Sequence, residues 1–135
     1  MNRALSLLAV AALASPLASC GDENDDLLAE DTIRECLADQ GMGAKPRGRD
    51  VSSPPVYLST APDFSAYSRD GTRVDVVVQG TEEKAEQTAA DVRGAMLPLG
   101  ISDADKRVVA KRNVVAVFAD SPSREEREAV SACLG

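Results

Sequence analysis

"FSAYSRDGTRVDVVVQG", residues 64–80, decides how this chain folds. Asp70-Gly71 is a turn signal with a mechanism. Both central residues of a type I′ hairpin turn need positive φ, and this pair tolerates it. Beyond the turn, Val74, Val76 and Val78 alternate with Arg73, Asp75 and Val77. A period of two puts the three valines on one face of a strand. Val77 on the opposite face predicts that this side is partly covered too. Alternation also places Asp75 at a solvent-facing position, although it is the least trivially exposed acid of the chain. The stretch therefore reads as a hairpin that needs cover on both faces.

The cover is legible on either side. Downstream, Thr81 is a candidate N-cap, with Glu82 and Glu83 where a helix dipole favours anions. Ala85, Ala89, Val92 and Met96 then repeat at helical spacing, and Pro98 and Gly100 end the helix. "RVVAKRNVVAVFA", residues 107–119, predicts two short strands around Lys111-Arg112-Asn113. Ser123 and Glu126 have the spacing of a capping box for a last helix, whose stripe is Val130, Cys133 and Leu134. Upstream, a helix runs from about Leu27 or Asp31 to Gln40, with Ala29, Ile33, Cys36 and Leu37 as its stripe and Gly41 as a left-handed stop. Residues 42–63 hold four prolines and little periodicity. They predict a long Pro/Ser-rich loop with a short extended piece at residues 56–58. The order is α-β-β-α-β-β-α, which predicts an α+β domain at residues 27–135, a small antiparallel sheet packed by helices.

The first 26 residues are of another kind. Arg3 precedes the apolar run "ALSLLAVAALA", which is too short to span a bilayer and suits the h-region of a secretory signal. Pro16 and then Leu17-Ala18-Ser19-Cys20 follow. The last four resemble the lipobox of bacterial lipoproteins. The resemblance implies cleavage of residues 1–19, a diacylglycerol on Cys20, and membrane lipid as the first partner. It implies an extracytoplasmic location at the cell membrane. Two acyl chains are enough for stable anchoring. Residues 20–26 then read as an acidic tether. Asp22, Asn24 and Asp26 imitate the start of a calcium loop, but Leu27 and Ile33 stand where that loop needs Gly and Glu.

With Cys20 assigned to lipid, Cys36 and Cys133 remain. An exported chain meets an oxidising compartment, and an even count there predicts a disulfide. Both cysteines sit in apolar helical stripes, so two core-facing thiols are placed to meet. The alternative, a redox-active pair, wants an activated thiolate that nothing nearby supplies.

Composition excludes much. There is no histidine, which removes Ser-His-Asp and Cys-His catalysis and the His-containing zinc sites. Two cysteines cannot form an all-thiolate zinc site. No dinucleotide fingerprint, P-loop or nucleophile elbow is complete, so no cofactor is implied. Without Arg3, 14 basic residues face 22 acidic ones, a formal charge of −8 that argues against nucleic acid. Three of the four aromatics, Tyr57, Phe64 and Tyr67, gather around the loop and form a candidate binding surface. Residues 73 onward, β-α-β-β-α with the phrases "LGISDADKRVV" and "NVVAVF", are similar to small ring-building and BON-like modules of bacterial envelopes. The whole chain resembles the small cysteine-stapled lipoproteins of high-GC Gram-positive bacteria. Three functions stay open: a non-enzymatic binding or structural module with an envelope protein as partner, an acidic inhibitor whose target is a cationic secreted protein, namely an enzyme, and a small histidine-independent carboxylate hydrolase.

Overall fold

A computed structural model describes residues 27–45, 56–59 and 61–135. The proposed signal, Cys20 and the acidic tether lie outside the described residues. The elements are α1 (Glu30–Asp39), β1 (Gly43–Lys45), β2 (Phe64–Tyr67), β3 (Arg73–Val78), α2 (Glu82–Met96), a 3₁₀ turn (Leu97–Leu99), α3 (Ala104–Arg107), β4 (Val108–Lys111), β5 (Val114–Phe118) and α4 (Arg124–Cys133). The five strands form one antiparallel sheet in the order β1-β2-β3-β5-β4. The α+β class holds.

The valine alternation does what its period requires. Val74 and Val76 face a core layer built with Ile33 and Leu37 of α1 and Val130, Cys133 and Leu134 at the end of α4. Val77, Val115, Val117 and Val108 face the other layer, where Ala85, Ala89, Val92 and Met96 of α2 meet them. The β5–β4 side of the sheet is thus sandwiched between helices. Each fully buried valine, leucine or isoleucine contributes roughly 1.5–3 kcal/mol. The small residues of α2 let its backbone lie close to the strands. β3 and β4 run parallel with β5 between them, so α2 is the crossover that such an arrangement demands.

Capping follows the sequence. The Thr81 side chain accepts the Lys84 N–H, and Ser123 with Glu126 forms a complete capping box. Gly41 ends α1 at φ +83°.

Four details differ from expectation. First, part of the anticipated loop is a strand: β1 pairs with β2, Gly43 opposite Tyr67 and Lys45 opposite Ser65. Three residues are too few for periodicity to show. Second, Val56 and Tyr57 form a turn rather than an extended piece. Third, the β2–β3 connection is wider than a two-residue turn. Ser68 N–H donates to Thr72 O at 2.9 Å and Gly71 N–H to Ser68 O at 3.0 Å. Of the Asp70-Gly71 pair only Gly71 has positive φ, +84°. This is a three-residue loop closed by a left-handed glycine, which makes the same reversal without straining Asp70. Fourth, α3 has no counterpart in the sequence pattern, because one helical turn carries no periodic stripe.

Candidate functional site

The two faces of the sheet are not alike. The face toward α1 and α4 is apolar from Phe64 to Val109. On the face toward α2, the helix lies over β4 and β5. The β1–β2 half of that face has no helix among the described residues, and the β2 side chains on it, Ser65 and Tyr67, are polar. The register sets Ser65 opposite Asp75 and Tyr67 opposite Arg73. All four fall on this face because Phe64, Ala66, Val74 and Val76 take the other.

Asp75 is fully buried, contrary to the solvent-facing position that alternation assigns it. Alternation reports only which side of a strand a residue is on, and here that side is covered. Asp75 Oδ1 accepts the Ser65 hydroxyl at 2.5 Å and Arg73 Nε–H at 2.8 Å. Arg73 lies two residues away on the same strand, so the pair is fixed by the pleat. Asp75 Oδ2 is also buried and has no hydrogen-bond partner among the described residues. A buried carboxylate oxygen without a donor is costly, and it marks where a donor would be accepted.

Tyr57 stands beside this group. It is half-buried against the α2-side core. Burial raises its phenol above the usual value near 10, and the charge of Asp75 raises it further, against Arg107 and Arg73. Arg107 is itself held in place: its Nε–H donates to Asp103 at 2.8 Å and its Nη1–H to Ala119 O at 2.8 Å. Tyr67, also half-buried, completes the patch.

The three aromatics of the expected surface do not act together. Phe64 is 2% exposed and sits in the opposite layer, with the Arg34 guanidinium 4.7 Å from its ring centre. It is a core residue, because the strand period separates it from Tyr67. Tyr57 and Tyr67 share the polar face. Sequence reasoning missed Ser65 and Arg73 as partners of Asp75. Their signal was present: each falls on the Asp75 face once the hairpin register is known.

The sulfurs of Cys36 and Cys133 stand at bonding distance, 2.02 Å, with their Cα atoms 5.6 Å apart. α1 and α4 lie side by side on one sheet face, which is what brings them together. Asn113 ties the start of the domain to the sheet. It is 2% exposed, its Oδ1 accepts Leu28 N–H at 2.7 Å, and its Nδ2 donates to Leu28 O at 3.1 Å and Gln79 O at 3.0 Å. Asp63 Oδ2 accepts Val78 N–H at 2.7 Å and so closes the neighbouring end of β3.

Among the described residues no group of three or more Cys, Asp or Glu side chains could hold a metal ion, and no helix is long and apolar enough to cross a membrane. An open groove of about 540 Å³ lies between the end of α1, the β2–β3 loop and the start of α4. Asp39, Asp70, Glu125 and Glu126 line it with a single cation, Arg69. Set against family models, curated proteins and solved structures, the chain matches none.

Proposed function

We propose that this chain is a lipid-anchored, extracytoplasmic, non-enzymatic binding module of the cell envelope, held by acylated Cys20. The observation that carries the binding role is the polar half-face: two half-exposed tyrosines beside the buried Asp75, whose Oδ2 has no donor among the described residues. Tyrosine gives contact area at low entropic cost, and such rings are common at interfaces. The anchor rests on the order of basic, apolar and lipobox-like segments at residues 1–20. The same group argues against hydrolysis. Asp75 is the only acid buried among the described residues, and its Oδ1 is already engaged by Ser65 and Arg73. Glycosidase-type chemistry needs a second carboxylate across a cleft.

Capture from envelope extract tests the binding role. A Tyr57→Ala, Tyr67→Ala double variant should retain its fold and lose at least roughly tenfold in capture of the partner, about 1.4 kcal/mol. Unchanged capture with a large loss of stability would return both rings to the core. The anchor is tested separately by labelling cells with a clickable fatty acid, where Cys20→Ala should abolish the label. The inhibitor reading has one observation in its favour, the acidic groove at Asp39, Asp70, Glu125 and Glu126. It requires a cationic prey whose capture fails at high salt.

A further inference from the structure

β4 is an edge strand, and its environment is unusual for an acidic protein. A groove of about 580 Å³ runs along all four of its residues between α2 and α4. A second hollow of about 260 Å³ adjoins it, sharing Arg124 and Arg127. Together they are lined by Arg93, Lys106, Lys111, Arg124 and Arg127, with Glu128 as the one acid. The chain as a whole carries −7.

The local pairings leave that charge largely in place. Arg93 approaches Asp105 at 3.7 Å and Arg124 meets Glu128 at 2.7 Å, but Asp105, Arg124 and Glu128 are mostly solvated, and such pairs are weak. Lys111 Nζ donates to Ser131 O at 3.4 Å and Arg127 Nη2 to Asp105 O at 3.1 Å, carbonyls that do not neutralise them.

The backbone of the edge has a definite polarity. Lys111 and Val114 flank a two-residue turn, so they form the hydrogen-bonded pair of this hairpin. Val109 and Ala116 form the next. Val108 and Ala110 therefore turn their N–H and C=O away from β5. The Val108 N–H is taken by Ala104 O, and Val108 O accepts Arg93 Nη2–H at 3.4 Å, which confirms that this carbonyl points outward. Ala110, half-exposed, presents its N–H and C=O to the groove. Natural edge strands are usually protected by charge, short length or cover. Here the charges are all on flanking helices and on Lys111, and they line the groove rather than close it.

We propose that an extended acidic peptide segment of a partner adds to β4 as a sixth, antiparallel or parallel strand, bonding Ala110 through its backbone and setting carboxylates against the basic walls. Successive side chains of an added strand point alternately to the two faces of the sheet. On the α4 side they would meet Lys111, Arg124 and Arg127, and on the α2 side Arg93. A ligand recognised by charge alone would have no need of the strand edge. A second copy of this chain is disfavoured as occupant, because pairing β4 with β4 would set the two basic walls against each other.

The test uses residues 20–135 with Cys20→Ser, which keeps every described element and removes the acyl group. The probe is an acetylated, amidated heptapeptide of alternating Glu and Val. The expected result is saturable binding at low salt. It should weaken at least tenfold in a Lys111→Glu, Arg127→Glu double variant, whose changed side chains are exposed and tolerable to the fold. On saturation the Ala110 amide should exchange with solvent at least tenfold more slowly, while the already paired Val109 and Lys111 amides stay unchanged. A fully N-methylated peptide of the same sequence should not bind. Equal binding of the N-methylated peptide would overturn strand addition, as would an unaltered Ala110 amide. Absence of peptide binding, with vesicles containing an anionic phospholipid captured through the same basic residues, would overturn it in favour of a membrane-facing surface.

Discussion

Replacing Asn113 separates a structural tie from a filler. The Asn113 amide makes three hydrogen bonds to the main chain, two to Leu28 and one to Gln79. Its orientation is forced, since an N–H lies on one end and two carbonyls on the other. Each bond is worth about 1 kcal/mol net, so Asn113→Ala should cost about 3 kcal/mol. The estimate belongs at the upper end of its range, because Leu28 and Gln79 keep polar groups with lost partners. In a domain of this size that is a fall in Tm of roughly 12–24 °C. Asn113→Asp is the sharper variant. It has nearly the same shape and retains the acceptor for Leu28 N–H, yet it turns an acceptor toward two carbonyl oxygens now about 3 Å from Nδ2. It should therefore be worse than alanine. Urea unfolding of the three proteins gives the order, with m unchanged if the unfolded states are alike. Hydrogen exchange should locate the first loss of protection at Leu28. A cost below about 1 kcal/mol for Asn113→Ala, or an Asp variant equal to wild type, would refute the argument.

Three further outcomes follow from the geometry. A Cys36→Ser, Cys133→Ser double variant should lose about 4–5 kcal/mol, because the bridge closes a separation of 97 residues in the unfolded chain; a calorimetric shift of only a few degrees would contradict this. In a Tyr67→Phe background the ultraviolet titration of Tyr57 should have its midpoint above 10, and Asp75→Asn should lower it. Because the folded phenol holds its proton longer than the unfolded one, stability should be fully present below pH about 10 and decline as pH rises through the folded value. Ser123→Ala removes half of the capping box of α4 and should cost about 1 kcal/mol, read by denaturant midpoint, with Ser123→Gly costing less.

Most of the scaffold was legible because its elements are locally self-consistent. The valine alternation, the Ala85-Ala89-Val92-Met96 stripe and both N-caps need no tertiary knowledge. What escaped the sequence depends on register or on very short elements. β1 has three residues and owes its existence to β2. The Asp75 site escaped for a related reason. A lone acid in an apolar strand looks exposed until its neighbours across the ladder are known, and only the pairing of Ser65 with Asp75 shows that the charge is accommodated within the sheet. Phe64 and Tyr67 illustrate the same limit. Three positions apart, they are neighbours in sequence, yet an odd spacing on a strand sends them to opposite faces.

The direction of the strands gives the proposed anchored state a definite polarity. Leu28, where the described domain begins, is fastened to Asn113 and through it to Gln79, just beyond the end of β3. Arg73 and Tyr67 face each other at the opposite end of the same strand pair. A six-residue strand separates the two ends by roughly 20 Å. A chain held at Cys20 would thus enter the domain beside the β4–β5 turn, and the Tyr67–Arg73 end of the polar half-face lies at the far end of the strands. The basic β4 groove runs between the two, from Val108 at the far end to Lys111 near the anchor. A partner strand laid along it would lie along the anchor-to-tip axis of the domain.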